Sequence, residues 1–118
     1  MTTYERGEVI LVEIAYSGAP GSKRRPAVVI SVDDFNRAGI KLIVAAITSN
    51  IAPPLRFGDT PLNEWQHAGL VKPSAVRGII ATVDKAEIVR KLGKLSTEDW
   101  KSVEGRIAKI LGYAVPVS

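Results

Sequence analysis

The chain has 118 residues, of which 46% are hydrophobic and 24% are charged, and 16 Lys and Arg against 12 Asp and Glu give a net charge of +4. This composition is typical of one folded domain over residues 1–118 and excludes an intrinsically disordered chain, and no apolar run reaches the roughly 18–20 residues that span a bilayer. The lack of cysteine excludes disulfides, thiolate nucleophiles and zinc–cysteine clusters, while a pI near 9.6 favours a polyanionic partner.

The N-terminal third is predicted to form two strands joined by a basic loop. Because Met1–Arg6 is polar and leads directly into a strand, the sequence shows no secretory signal, and we expect a cytoplasmic protein. A β-branched, nearly continuous apolar run predicts the first strand at Glu8–Ala15. Glycines, a proline and three cations predict a loop over Tyr16–Arg25. The second strand is predicted at Pro26–Val32, since proline is tolerated at the first residue of a strand.

The middle of the chain alternates apolar runs with turn residues. Asp33–Gly39 is predicted to be a hairpin turn that leads to a third strand, Ile40–Ile47. Strands this continuously apolar are typical of the middle of a small barrel, where both faces are buried. The three prolines of Ile51–Pro61 predict a loop or an edge strand. Leu62–Ala68 is predicted to form one helical turn that ends at Gly69.

Short strands and one helix complete the predicted fold. The strands are predicted at Leu70–Val71, Val76–Val83 and Ile88–Leu95, the last with a bulge or bend at Gly93. The pattern of about five to seven short strands followed by a C-terminal helix predicts a compact, strongly bent β-barrel, mainly β or α+β in class.

The boundaries of the helix are marked by particular residues. Ser96 with Asp99 three residues later matches a capping box, and Gly112 is a natural end. Between them, apolar residues recur at helical spacing on one face, namely Trp100, Val103, Ile107, Ile110 and Leu111.

The residue types that several enzyme mechanisms require are missing. His67 is the only histidine, so no Ser/His/Asp triad can form, and we expect His67 on the surface of the short turn. No GxxxxGK[ST] motif and no strand–GxGxxG–helix unit occurs, which leaves nucleoside triphosphate and dinucleotide chemistry unsupported. We expect no metal and no other cofactor.

Arginine and hydroxyl groups remain at predicted strand ends. Arg25 precedes the second strand, and Thr48 and Ser49 follow the third. If these strands pair antiparallel, Arg25 and Thr48 reach the same rim of the sheet. A guanidinium and a hydroxyl can bind and orient a phosphate, which suits attack of an RNA 2′-hydroxyl on its own neighbouring phosphate. Alternatively, Arg25 pairs with a surface acid and Thr48 simply ends a strand.

The same residues carry a resemblance to the PemK/MazF family of toxin endoribonucleases, the toxic halves of bacterial toxin–antitoxin pairs. The most specific element is GSKRRPAVVIS, followed further along by a strand that ends in Thr-Ser. The matching segments cover nearly the whole chain in the family's order and are Arg6–Ile14, Gly21–Ser31, Ile43–Asn50, Ala81–Lys85 and Leu95–Leu111.

The resemblance implies an SH3-like small β-barrel of the PemK/MazF/CcdB type that forms a symmetric homodimer. It also implies sequence-selective, metal-independent cleavage of single-stranded RNA (mRNA) and inhibition by a cognate antitoxin protein. By position, Arg25 and Thr48 match the family's catalytic arginine and threonine. Because arginine is too basic to act as a general base, we assign Arg25 mainly to stabilisation of the phosphorane, with proton donation as a second role, and Thr48 to positioning the phosphate or hydroxyl. Lys23 and Arg24 are expected to hold flanking phosphates, and the loop Ser17–Ser22 to close over the RNA.

This chain departs from the family pattern at two places. Ala19–Lys23 has no acid where some members carry glutamate or glutamine, and Gly78–Ile79 stands where many carry an acidic or amide residue. No auxiliary acid or base is therefore transferred, and the base specificity is expected to differ. The side chains expected to contact the RNA in their place or beside Thr48 are Ser49, Lys72, Ser74 and Arg77, although Lys72–Ser74 also fits a plain turn.

The alternative hypothesis is a binding protein on the same barrel without catalysis. A CcdB-like gyrase inhibitor would carry a tryptophan near its C-terminus, whereas this chain ends in Tyr113–Ser118. A single-strand binder would line its groove with several stacking aromatics, but aromatic residues make up 6% of the chain, and Tyr16 and Trp65 are the plausible stackers. An RNA binder that has lost catalytic activity is the remaining version.

Overall fold

One antiparallel sheet forms the body of the protein in the computed structural model, which describes residues 2–15 and 22–114. Its strands run in the spatial order β4-β5-β3-β2-β1-β6. Their bounds are β1 Glu8–Ala15, β2 Ser22–Val29, β3 Lys41–Thr48, β4 Thr60–Pro61, β5 Ala75–Asp84 and β6 Ile88–Lys94. Two α-helices, α1 Asp33–Ala38 and α2 Thr97–Leu111, and a 3-10 turn at Lys85–Glu87 accompany the sheet. The predicted mainly β fold with a C-terminal helix is confirmed.

The central strands are buried on both faces, which explains why their sequences do not alternate between apolar and polar residues. One face packs against α2 and is formed by residues such as Val9, Val28, Ala45, Val76 and the helix residue Val103. The opposite face carries a second buried cluster that includes Ile10, Val12, Val29, Leu42 and Val44. Successive residues of a strand point to opposite faces, so a continuous apolar run supplies both clusters.

The two edges of the sheet approach each other without forming a closed barrel. Within the described residues, β4 pairs only with β5 and β6 pairs only with β1. The chain that follows β4 crosses towards β6: a Cβ placed on Gly69 would lie 1.9 Å from the carbonyl oxygen of Leu92. The Nδ1 atom of His67 lies 2.9 Å from the carbonyl oxygen of Lys94. Residues 62–74 therefore fill the gap between the edges.

Two predictions about the first half of the chain are wrong in detail. The second strand begins at Ser22, not Pro26, because the main chain of Lys23, Arg24 and Arg25 pairs with the end of β1. The three cations are thus held in a strand, while the predicted loop residues 16–21 lie outside the described part of the chain. Asp33–Gly39 is not a simple turn, since residues 33–38 form α1.

Buried hydrogen bonds explain why α1 forms there. The amide of Asn36 is 1% exposed and donates to the carbonyl oxygens of Tyr4 and Ser31, at 3.2 and 3.0 Å. The hydroxyl of Ser31 donates to the amide oxygen of Asn36. A local turn is thereby joined to the chain before β1, which neighbouring residues alone do not predict.

The second half of the chain follows the prediction more closely. The segment Thr60–Pro61 is an edge strand, and residues 63–69 form hydrogen-bonded turns that end at Gly69, which has a φ of 80°. Leu70–Val71 is not a strand, and the next strand is longer than predicted, Ala75–Asp84. A register shift in the pairing of β1 with β6 next to Gly93 confirms the predicted bulge.

Helix α2 begins and ends as predicted, but its capping box is half formed. The hydroxyl of Ser96 accepts a hydrogen bond from the backbone N–H of Asp99 at 3.1 Å, and Gly112 ends the helix with a φ of 76°. The Asp99 carboxylate bonds elsewhere, to residues 63 and 64. Val103 is buried and Trp100 is partly buried beneath the Arg6 guanidinium, whose carbon lies 4.9 Å from the ring centroid, whereas Leu111 remains exposed.

Candidate active site

A cleft of about 400 Å³ lies at one rim of the sheet, and three segments of the chain form its walls. The start of β2 contributes Arg24, Arg25 and Pro26, and the end of β3 with the residues after it contributes Ile47, Thr48, Ser49 and Asn50. The third wall, after the 63–69 turn, is formed by Leu70, Val71, Lys72 and Ser74. We refer to this space as the rim cleft.

Strand pairing brings Arg25 and Thr48 to the same place. Strands β2 and β3 are antiparallel, and their register places Ala27 opposite Ala46. Continued by two residues, the same register places Arg25 opposite Thr48, and both side chains line the rim cleft. The cleft thus has a guanidinium and a hydroxyl on adjacent strands, the donor set that binds a phosphate.

The hydroxyl of Thr48 has a fixed orientation. Its oxygen accepts a hydrogen bond from the backbone N–H of Asn50 at 3.1 Å. A threonine hydroxyl has one proton to donate and two lone pairs to accept, so this bond leaves the proton available to a ligand. The turn after β3 therefore prepares Thr48 as a hydrogen-bond donor.

The charge of the rim cleft suits an anionic ligand. Among the described residues that line it, Arg24, Arg25 and Lys72 are cationic and none is acidic. Arg24 also faces Glu13 of β1, with 3.9 Å between Nε and Oε1, but both side chains are about half exposed, so this ion pair holds Arg24 weakly. A phosphate in the cleft would meet cations from two of its three walls.

The third wall is a folded turn with two different sides. Ser74 is 5% exposed, and its hydroxyl donates to the carbonyl oxygen of Lys72 at 2.8 Å. The carbonyl oxygen of Ser74 accepts a hydrogen bond from the N–H of Leu62 at 3.0 Å, which joins the end of this loop to its beginning. Val71, by contrast, is 88% exposed. The wall offers an apolar side chain and the Lys72 ammonium to a ligand, while Ser74 maintains the turn.

Two of the predicted RNA contacts lie outside the rim cleft. Arg77 lines a separate pocket of about 240 Å³ with Gly58 and Gly78, where its Nη1 atom lies 3.8 Å from Oδ2 of the buried Asp59. Lys23 is exposed at the start of β2 but is not part of the cleft lining. The structure brings together Arg24, Arg25, Thr48, Ser49, Lys72 and Ser74.

Five residues of the cleft lining were not predicted as site residues: Pro26 and Ile47 within the strands, and Asn50, Leu70 and Val71 outside them. Of these, Asn50 could have been predicted as a site residue, because it directly follows the Thr-Ser strand end. Nothing in the sequence indicates that Leu70 and Val71 line a ligand site, because a short apolar segment between turn residues predicts a strand. Tyr16 and residues 17–21 lie outside the described residues, and Trp65 packs against the apolar core. His67 is on the surface, as predicted.

The described residues contain neither a metal-binding cluster nor a membrane-spanning helix. No three His, Asp or Glu side chains there are grouped closely enough to hold a metal ion. No helix in residues 2–15 and 22–114 has the length and apolar character needed to cross a bilayer.

Comparisons with known proteins show the family and the fold of this chain. The family model described as the PemK-like, MazF-like toxin of type II toxin–antitoxin systems matches residues 5–111. Among solved structures, a chain of the MazE–MazF complex of Deinococcus radiodurans is similar with a TM-score of 0.79 and 19% identity, covering 97% of this chain and all of that one.

Two mycobacterial structures are similar to the same extent. An endoribonuclease from a mycobacterial species has a TM-score of 0.75 and 18% identity, with 98% of each chain covered. The Mycobacterium tuberculosis toxin MazF-mt6 has a TM-score of 0.74 and 16% identity, covering 92% of this chain and 99% of that one. At these identities the structures share the fold with this chain.

Proposed function

We propose a function for this chain on the premise that it belongs to the family of PemK-like and MazF-like toxins of type II toxin–antitoxin systems. It is a sequence-selective endoribonuclease that cleaves single-stranded RNA without a metal ion. It acts as the toxin of a toxin–antitoxin pair. The observation that carries the proposal is the position of Arg25 and Thr48 on adjacent strands of a cationic cleft. Similar structures named as endoribonucleases support the same activity.

The reaction uses a nucleophile that the substrate itself supplies. The 2′-hydroxyl loses its proton to water as its oxygen attacks the adjacent phosphorus, the bond from phosphorus to the 5′-oxygen breaks, and that oxygen takes up a proton from water. A 2′,3′-cyclic phosphate and a 5′-hydroxyl remain. Negative charge develops on the phosphate oxygens in the transition state, and donors aimed at those oxygens lower the barrier. The protein therefore needs oriented donors and no covalent nucleophile of its own.

Arg25 and Thr48 supply these donors. The Arg25 guanidinium donates two parallel hydrogen bonds to phosphate oxygens, and because a guanidinium has donors but no acceptor, the 2′-hydroxyl proton leaves to water. Thr48 directs its remaining proton to the phosphate, since its oxygen already accepts from Asn50. Together they hold the phosphate in line with the attacking oxygen.

The remaining cleft residues bind the neighbouring nucleotides. Arg24 and Lys72 are placed to neutralise flanking phosphates from opposite walls. Asn50 and Ser49 carry donor and acceptor groups that can read a base edge, and Val71 offers an exposed apolar surface to a base. This mixture of charge, hydrogen-bonding groups and apolar surface is the basis of the proposed selectivity.

We also propose that the toxin is a cytoplasmic homodimer of one-domain chains. The family match over residues 5–111 supports one domain. An apolar surface supports self-association and is formed by Phe57 before β4, Ile79 of β5, and Ile107, Ile110 and Leu111 at the end of α2. Phe57, Ile79 and Leu111 are 72%, 55% and 53% exposed, which is unfavourable unless another chain covers them. A cognate antitoxin is the expected inhibitor, and a similar mycobacterial endoribonuclease is described in complex with its cognate antitoxin.

The test is cleavage of a long single-stranded RNA in EDTA by wild type, Arg25→Ala and Thr48→Ala. The matched control is Arg37→Ala, which removes an exposed arginine of α1 that pairs only with the neighbouring Asp34 among the described ion pairs. Wild type and the control should produce the same discrete fragments, and both cleft variants should lose them while remaining folded. Cleavage that survives both cleft changes would contradict the assignment. A folded wild type that cleaves no RNA would favour the non-catalytic alternative, with gyrase as the next target.

A further inference from the structure

We infer that Asp99 is a positioning residue for the rim cleft: its buried carboxylate in α2 holds the turn that carries the cleft's third wall. This inference rests on the proposed function, since it concerns how that site binds RNA. It assigns to Asp99 a role that the helix-capping pattern of the sequence does not indicate.

The Asp99 carboxylate forms hydrogen bonds with a segment that is distant in the sequence. It is 1% exposed, and its two oxygens accept hydrogen bonds from the backbone N–H groups of Asn63 and Glu64, at 3.0 and 2.8 Å. These are the first two residues of the 63–69 turn. The first N–H groups of a helical turn have no partner within the turn, so Asp99 caps it from outside.

The capped turn leads directly into the cleft wall. The N–H of Leu70 donates to the carbonyl oxygen of Trp65 at 3.1 Å, so the first wall residue is hydrogen-bonded to the turn. Gly69 and Gly93 allow the turn and β6 to approach so closely that a Cβ at either position would meet backbone atoms of the other segment at 2.6 Å or less. The turn is therefore held between β6 and α2, and Asp99 is its connection to α2.

Burial of Asp99 is not explained by the needs of α2 alone. An acidic residue in the first turn of a helix favours the helix dipole, but Glu98 provides that charge from an exposed position. The Ser96 hydroxyl caps the Asp99 N–H without help from the Asp99 side chain. A buried carboxylate is unfavourable unless its oxygens are satisfied, and here both are satisfied by the turn.

The expected effect of losing this link is on substrate binding more than on chemistry. Arg25 and Thr48 are on β2 and β3, which Asp99 does not contact through any described hydrogen bond. Leu70, Val71 and Lys72 are on the wall that the turn carries. Displacement of that wall should raise KM for RNA and alter the preferred cleavage sites, with a smaller change in kcat.

The test compares Asp99→Ala and Asp99→Asn with Ser96→Ala, the matched control that removes the cap of the same helix end but leaves the carboxylate in place. We expect Asp99→Ala to raise KM about tenfold and to change the fragment pattern, because small displacements of binding groups have large effects on rate. Asp99→Asn should be intermediate, since its amide oxygen can still accept from the turn. Ser96→Ala should lower the melting temperature while keeping KM and the fragment pattern of wild type.

Hydrogen exchange of the Leu70 amide provides a readout that needs no activity. Exchange should accelerate in both Asp99 variants and not in Ser96→Ala. Each protein is measured at the same number of degrees below its own melting temperature. If Asp99 and Ser96 variants of equal stability share one KM and one Leu70 exchange rate, the inference is overturned. If wild type cleaves no RNA, the proposed function fails, and the exchange rates alone decide whether Asp99 positions the wall. Asp99→Asn carries the test if Asp99→Ala does not fold.

Discussion

The hydroxyl oxygen of Thr48 accepts a hydrogen bond from the backbone N–H of Asn50, with 3.1 Å between the two atoms. This contact fixes the side chain of a residue that faces Arg25 across the continued register of β2 and β3. Since the bond uses only an oxygen lone pair, the hydroxyl proton is the group that Thr48 presents to the cleft. A substitution should therefore be able to remove this hydroxyl donor without changing the shape of the side chain.

Replacing Thr48 by valine or serine tests this donor. Thr48→Val keeps the shape but loses the hydroxyl, and we expect the rate of RNA cleavage to fall by about 10²–10³, the usual cost of one transition-state donor. Thr48→Ser should keep most activity. Thr82→Val, at an exposed position of β5 outside the rim cleft, is the control. Equal activity of the valine and serine variants would show that the hydroxyl has no part in the reaction.

Lys72 should contribute to RNA affinity through charge. A 2′-O-methyl RNA lacks the nucleophile, so its binding can be titrated without cleavage at several salt concentrations. Lys72→Gln should weaken binding and reduce the slope of log K against log salt by about 0.7, the value for one phosphate contact on a single strand. Lys101→Gln removes an exposed lysine of α2 outside the cleft lining and should leave the slope unchanged. Equal slopes for all three proteins would remove Lys72 from the binding site.

The proposed homodimer can be tested at the apolar surface. Leu111→Lys places a charge on the exposed last residue of α2, where a cation is favourable for the helix, so the monomer should stay folded. We expect wild type to sediment as a dimer and this variant as a monomer. Ile40→Lys, at an exposed isoleucine before β3, should remain dimeric. A monomeric wild type, or a dimer that tolerates Leu111→Lys, would exclude this surface as the interface.

Of the glycines in residues 2–15 and 22–114, Gly69 should tolerate alanine least. Its φ of 80° is unfavourable for alanine by about 1–2 kcal/mol, and the added Cβ would lie 1.9 Å from a backbone oxygen of β6. We expect Gly69→Ala to lower the free energy of unfolding by about 2 kcal/mol or more in urea titrations. Gly39→Ala is the control, because no atom lies within 4 Å of its added Cβ. A similar loss in both variants would contradict the proposed close approach.

Asp84 should give the protein a pH-dependent stability at low pH. Its carboxylate accepts the N–H of Ala86 at 2.9 Å and lies 3.4 Å from the Lys41 ammonium, which hold its pKa below the ordinary value of 3.8. A carboxyl whose pKa is lower in the folded state stabilises the protein above the unfolded pKa, and the contribution is lost as pH falls through the folded pKa. The charge is fully present at neutral pH.

The comparison is with Asp84→Asn, whose amide oxygen can still accept from Ala86 but lacks the charge. The difference in free energy of unfolding between wild type and this variant should be constant above about pH 5 and should decrease below pH 3.8. Urea titrations at pH 2 to 7 measure it. A difference that keeps its full size at the lowest pH would show that the charge of Asp84 is not its source.

Local patterns in the sequence determined the elements and part of the site. The apolar run of Glu8–Ala15 has the bounds of β1, Gly112 ends α2, and the bulge lies next to Gly93. The meeting of Arg25 and Thr48 was also predictable, because it requires only that two sequential strands pair antiparallel. Each of these features depends on nearby residues or on a simple rule of strand pairing.

The tertiary structure decided which distant residues share a site. Asp99 has the spacing of a capping residue but bonds to residues 63 and 64, and Arg77 looks like an RNA contact but faces Asp59. Leu70 and Val71 read as a strand but form a cleft wall. The docking of α2 and the turn against the sheet edges positions Asp99 and the cleft wall, whereas the pairing of β4 with β5 brings Asp59 beside Arg77. Both depend on packing of the whole chain. A side chain's neighbours along the chain set its local conformation, whereas its contacts with residues of α2, the turn and the sheet edges depend on that packing.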